Sequence, residues 1–219
     1  IKSITMNKRL IISIVLLVVI VFLGYITIES IMQPIRFQEL KNWRYELTKN
    51  SLINIRNAEV AYKSENPNNK YTPSFDTLEN FIKTGKLTVI KQIGDIPDSF
   101  FTKYRRKEAE LKALELGIIR RDTVLISAYD SLCKGEYNID SLRYIPKSHG
   151  ELFSLDTATY ITASKVKFNV FECKAHNNQY LKGLDRQEII NLNDDASKNE
   201  KYPGLKVGSL EELNNNAGN

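Results

Sequence analysis

Nineteen consecutive residues, Leu10 to Ile28, read LIISIVLLVVIVFLGYITI and carry no charge. As a helix rising 1.5 Å per residue this run is roughly 28 Å long, close to the ~30 Å hydrocarbon thickness of a bilayer. Lys8 and Arg9 abut one end and Glu29 the other. No small-x-small cleavage site and no lipid-attachment cysteine follows it, so an uncleaved signal anchor is expected rather than a removed leader. A buried globular helix is the rival reading. Lys2, Lys8 and Arg9 favour a cytoplasmic N-terminus, against Arg36, Lys41 and Arg44 beyond the far end. The adjacent pair and the short leading segment tip the balance. The long remainder is therefore expected outside the cytoplasm, in the bacterial case as a periplasmic domain on the inner membrane. Met6 is the candidate initiator.

Pro34 interrupts the helical signal and then sits where a first-turn proline is tolerated. From there to Lys63 the periodicity is helical again. Phe37, Leu40, Leu47, Ile55, Ala58 and Tyr62 fall within roughly 80° of arc at 100° per residue. Ile35, Ile53 and Val60 make a thinner line on the opposite side. With the lone tryptophan, Trp43, they are the candidate interaction face; surface aliphatics and ordinary packing of Trp43 are the bland alternatives. Span and helix together predict a stalk of roughly 80 Å, bent at Pro34.

The helix must stop at Asn66-Pro67, because a residue before proline avoids the helical region and the asparagine run favours turns. Ser74 is then placed to cap a short helix bearing Leu78, Phe81 and Ile82, with Gly85 as its left-handed terminator. Leu87 to Ile93 is β-rich. A helix from Asp98 to Leu116, ended by Gly117, is expected to bury Phe101, Tyr104, Leu111, Leu114 and Ile118. Its Lys103, Arg105, Arg106 and Lys107 pair with Glu108 and Glu110 on a solvated face. DTVLISAYDSL is ambiguous between strand and helix. LRYIPK, ELFSLDTATYI and KVKFNVFECKA are predicted strands, the last with Val166, Phe168 and Val170 inward. HNNQ is a turn, DRQEIINL a short helix, GLKVGSLEEL a strand with its exit, and NNNAGN a frayed tail.

The fold class expected is α+β: a transmembrane helix continuing into a long amphipathic helix, then a mixed domain with a mostly antiparallel sheet. The divisions are 1–9 cytoplasmic, 10–28 transmembrane, 29–64 stalk, 65–213 extracytoplasmic domain and 214–219 flexible tail.

The membrane helix running into AEVAYKSENPNNKYTPSFDTLENFI resembles the pilin and pseudopilin layout. Tyr71-Thr72-Pro73 and Leu78 stand where those proteins carry an aromatic-Pro turn and a Leu-bearing helix. No prepilin-peptidase site precedes the apolar run. IRNAEVAYK, YTPSFDTLENFIKTGK and LKVGSLEELNNNAGN resemble an uncharacterised family of single-pass envelope proteins of Gram-negative bacteria. That resemblance implies architecture and location, and no functional residues.

The net charge of +5 is spread along the chain, unlike the concentrated basic face of a nucleic-acid binder, so nucleic acid is not an expected partner. No glycine-rich phosphate loop or nucleophile elbow occurs. Cys173 and His176 have C-x-x-H spacing, which Cys133 or His149 would have to complete for zinc; with no second close pair, no metal or cofactor is expected. Two unbonded thiols are favoured, with a Cys133–Cys173 disulfide as the alternative in an oxidising compartment. No catalytic residue is assigned, and no enzyme activity is expected. The expectation is a structural or assembly component of an envelope complex, of secretion or pilus type. Its partners would be the lipid bilayer and other envelope proteins, self-association included. The rival is a membrane-tethered periplasmic ligand-binding or sensor module.

Overall fold

The structure, a computed structural model, describes residues 8–133, 138–213 and 217–218. It is α+β, with one long N-terminal helix and two small antiparallel sheets. The helix α1 runs from Lys8 to Glu65 without a break, so the interruption expected at Pro34 does not occur. Pro34 removes one N–H, the donor to the carbonyl of Ser30, and its neighbours on both sides keep the helix going. Leu10 to Ile28 lie wholly exposed at its start, compatible with a single-pass membrane anchor.

Beyond that segment α1 is no free stalk. Gln33 Nε2 already donates to Asp185 Oδ2 at 2.6 Å, and Phe37 is buried in the core. The domain therefore packs back along α1 almost to the apolar run. The buried face holds Phe37, Thr48, Leu52, Ile55, Ala58 and Glu59. This corrects the expected stripe: Leu40 is exposed, Leu47 and Tyr62 are half-buried, and two polar residues lie inside. Thr48 Oγ1 donates to the Arg44 carbonyl at 2.8 Å, which lets a hydroxyl be buried at little cost. Arg44 in turn donates through Nη1 to the carbonyls of Tyr180 and Lys182, at 3.2 and 2.7 Å.

Helix α2, Phe75–Thr84, lays Leu78 and Ile82 on α1, and Tyr62 meets Phe81 edge to face at 5.3 Å. Ser74 is its N-cap, but its hydroxyl makes no cap hydrogen bond. Gly85 is extended, not left-handed; glycine is needed because a Cβ would run into the carbonyl and ring of Phe81.

The main sheet orders β3 (Ser154–Ile161), β4 (Lys167–His176) and β5 (Gly204–Gly208), all antiparallel. Leu155, Phe171, Cys173, Ala175, Leu205 and Val207 face the core against α1. The expected inward set on β4 falls on the opposite face: Phe171, Cys173 and Ala175 join the core, so by the strand's alternation Val170, though buried, points away from that cluster, and Phe168 and Val166 are exposed. At Gly208, φ is +76° and a Cβ would strike the Phe171 carbonyl, so only glycine fits.

LRYIPK is not a strand. Tyr144 forms a lone bridge with Leu152, and Arg143 reaches Glu79 with two hydrogen bonds, 2.8 and 2.6 Å long. HNNQ forms a helical turn, Asn177–Tyr180, closed by a capping box between His176 and Gln179. DRQEIINL is the start of a longer helix, Arg186–Lys198, capped by Asp185. Ala217 and Gly218 are not frayed: the Ala217 carbonyl accepts from the Gly208 N–H at 3.0 Å, and Gly218 bridges Val207. The remaining tail residues and the N-terminal segment 1–7 lie outside the described residues.

Residues 86–127 stand apart. Strand β1, Lys86–Ile93, pairs with β2, Arg120–Ser127, in register from Lys86–Ser127 to Ile93–Arg120. Between them α3 (Asp98–Lys103) and α4 (Arg106–Glu115) replace the single helix expected. Tyr104 and Arg105 are both extended, which breaks the helix. The Lys112 ammonium then sits over the Tyr104 ring at 4.1 Å. DTVLISAYDSL is both of its alternatives in turn, strand to Ser127 and helix α5 from Ala128 to Leu132.

Candidate functional site

The core cluster contains no residue between Ile82 and Leu132. The arm 86–127 thus takes no part in the main core. Of its sixteen strand residues only Leu87 is buried. Its helices bury Ala109 and Ala113, small side chains, and leave outside the residues expected inside: Leu111 is 68% exposed, and Leu114 and Phe101 are exposed too. The physical reason is that α4 turns its alanines inward, where close approach is possible, so its leucines have nowhere to pack. Ile90, at 65% exposure, Ile93, Val124 and Leu125 line the ribbon. Nine Lys and Arg face six Asp and Glu in this segment, so 42 residues carry +3 of the chain's net +5. A small cleft of about 350 Å³ at the tip is lined by Phe100, Lys103, Tyr104, Lys112 and Leu116.

Sequence reasoning saw the cations of this region as a solvated face and its leucines as core. The signal that marks the arm is its apolar content without a partner element: two helices too short to cover two eight-residue strands.

Of the candidate face on α1, Ile35 and Val60 are exposed, whereas Ile53 is half-buried beside the core residues Leu52, Leu205 and Val207. Ile53 edges a groove of about 220 Å³ with Tyr45, Lys49, Arg56, Lys206 and Gly218. Trp43 lies apart, on another side of the helix, with the Lys147 ammonium 5.8 Å from its ring centre.

Cys133 and Cys173 are both free and buried. Burial drives the Cys173 thiol well above its ordinary pKa, with the nearby Glu59, Asp156 and Glu172 adding to the effect, so it stays an un-ionised core group. His176 is committed to its cap, its Nδ1 accepting from the Asn178 N–H at 3.1 Å, and burial lowers its pKa. His149 is exposed, with φ +60°. No three or more metal-binding side chains gather among the described residues.

Glu59 is the most perturbed carboxyl. It is fully buried, Oε2 accepts from the Thr72 N–H at 3.1 Å, and no hydrogen-bond partner meets Oε1 among the described residues. Desolvation raises its pKa to about 8, only partly offset by the Thr72 hydrogen bond. It ties α1 to the turn leading into α2.

A second groove, about 310 Å³, opens between α1, the His176 turn and the Arg186–Lys198 helix. Lys41, Tyr45, Asn177, Tyr180, Asp195 and Tyr202 line it. Burial pushes the Tyr180 hydroxyl up to about 12. Comparison with protein-family models, curated proteins and solved structures finds no match for this chain.

Proposed function

We propose that this chain is a membrane-anchored structural or assembly component of a bacterial envelope complex, acting by protein–protein contacts. Leu10–Ile28 crosses the inner membrane, the N-terminus is cytoplasmic and the α+β domain is periplasmic. A secretion or pilus-like machine is the setting that the layout resemblance implies. One observation carries the reading: an arm outside the core that exposes aliphatic side chains on both faces of a ribbon and on its helical tip. Contiguous exposed apolar surface on a folded chain marks a place for another molecule.

The test is photo-crosslinking in intact cells from Ile90, Leu111 and Leu125, followed by mild detergent extraction. A discrete larger species containing other envelope subunits is expected. A lone monomer, under extraction that preserves known envelope complexes, would sink the reading.

The groove beneath Tyr45, Tyr180 and Tyr202 favours a second reading, a tethered ligand-binding or sensor module, because polar and aromatic groups converge there. Saturable thermal stabilisation by a small molecule, lost in Tyr202→Ala, would support it over the first.

A further inference from the structure

The groove between α1, the His176 turn and the Arg186–Lys198 helix, about 310 Å³ in volume, has walls of opposite polarity. On α1, Lys41 and Tyr45 are four residues apart and share one face. On the opposing helix, Leu192, Asp195 and Ala196 follow the i, i+3, i+4 spacing of a single face. Donors therefore stand on one side and a carboxylate on the other. Lys201, just past the helix, adds a second cation. None of Lys41, Lys201 and Asp195 makes an ion pair among the described residues, although all three line the same space.

Two buried polar side chains line the groove as well. Tyr180 is 4% exposed, its ring belongs to the core cluster, and its hydroxyl makes no hydrogen bond among the described residues. Burial first, and then the nearby Tyr45, hold the proton on that oxygen, so it stays a donor at neutral pH. Asn177 is 7% exposed, and its Nδ2 donates to Asn193 Oδ1 at 2.9 Å. Asn193 Nδ2 donates in turn to Asn178 Oδ1 at 2.9 Å, which fixes the direction of the series. Asn177 Oδ1 is thus an acceptor with no partner among the described residues. Polar groups this deep are ordinarily hydrogen-bonded, so this donor and this acceptor mark where a ligand's polar atoms fit.

Resting on the ligand-binding reading, we propose that this groove binds a free acidic amino acid. Its α-carboxylate would meet Lys41 and the Tyr180 hydroxyl, its ammonium Asp195 and Asn177 Oδ1, and its second carboxylate Lys201. The charges balance: two lysines and one aspartate face two carboxylates and one ammonium. Size agrees, since about 310 Å³ is at the low end of small-molecule sites, which span roughly 300–1,000 Å³. A lipid headgroup does not fit. Lys41 is thirteen residues past Ile28, roughly 20 Å along the helix and beyond a headgroup layer of roughly 5–8 Å. A neutral sugar would leave the three charges unanswered.

The experiment uses the full chain in nanodiscs and equilibrium dialysis of labelled L-glutamate. One saturable site is expected. L-Glutamine lacks the second carboxylate and glutarate lacks the ammonium; each should compete at least about tenfold more weakly, a difference of about 1.4 kcal/mol. Tyr180→Phe keeps the ring in the core and removes only the hydroxyl. It should weaken L-glutamate by a similar factor with the circular dichroism spectrum unchanged. Asp195→Asn, at an exposed position, should weaken L-glutamate and leave glutarate as it was. Equal competition by the three compounds, or wild-type affinity in both variants, overturns the proposal. Thermal stabilisation is read alongside, with neutral sugars and anionic vesicles as comparison. A sugar that stabilises the chain where L-glutamate does not overturns the amino-acid assignment and keeps the ligand-binding reading. Stabilisation by L-glutamate that persists in Tyr202→Ala places the ligand outside the groove and overturns both.

Discussion

Glu59 shows how one side chain couples pH to the fold. Its carboxyl is held protonated up to about pH 8 in the native state, whereas an unfolded chain releases that proton near its ordinary value of about 4.3. Between those limits the native state binds more protons than the unfolded one, so stability falls as pH rises through that window and levels off above it. Glu59→Gln keeps an acceptor for the Thr72 N–H and cannot ionise. Urea titrations from pH 5 to 9 should show the wild type losing on the order of a few kcal/mol that the variant keeps. Parallel curves for the two proteins would refute the assignment. Nothing in the sequence marked this residue, because an acid among helical polar residues looks like any solvated glutamate until the Thr72 turn closes over it.

The arm is an element in its own right. The Ala128 N–H donates to the Gly85 carbonyl at 3.0 Å, so its two ends already meet. Excising Lys86–Ser127 and joining the ends through a short Asn-Gly turn should leave the rest folded, since Leu87 is the one buried residue of the ribbon. Circular dichroism should show a cooperative melt with Tm lowered by no more than about 3–4 °C, the equivalent of ~1 kcal/mol in a domain of roughly 140 residues. A molten or aggregated product would mean that the arm contributes to the core after all. Strand β1 was readable from its β-branched residues, as were β4 and the helix carrying Leu78 and Ile82; β2 was not, since DTVLISAYDSL suits strand and helix alike. The split of α3 from α4 was not. A single amphipathic pattern from Asp98 to Leu116 gave no hint that Tyr104 and Arg105 would be extended.

At the scale of the whole molecule, α1 is both the apolar segment and the spine of the domain. Removing residues 8–31 should yield a monodisperse, folded domain in water, because contacts to the domain begin around Gln33 and Phe37. Removal through Thr48 also takes away buried Phe37 and Arg44's bonds to Tyr180 and Lys182. Losing the Phe37 ring alone costs about 3–5 kcal/mol, a large share of a typical 5–15 kcal/mol stability. That shorter fragment should be unfolded, as proteolysis and circular dichroism would report. A folded product would show that the spine's first turns carry no structural weight. By itself the sequence determined the charge-free run at Leu10–Ile28, the long helix after it, the Asn-Pro stop and the α+β class. Each of these follows from neighbours in the chain, through hydropathy, helical period and turn chemistry. Only the tertiary structure decided which side of α1 is buried, that Glu59 and Thr48 lie inside, and that the arm leaves its leucines in water. Those outcomes depend on which distant surfaces meet, and local periodicity cannot distinguish a face that finds a partner from one that does not.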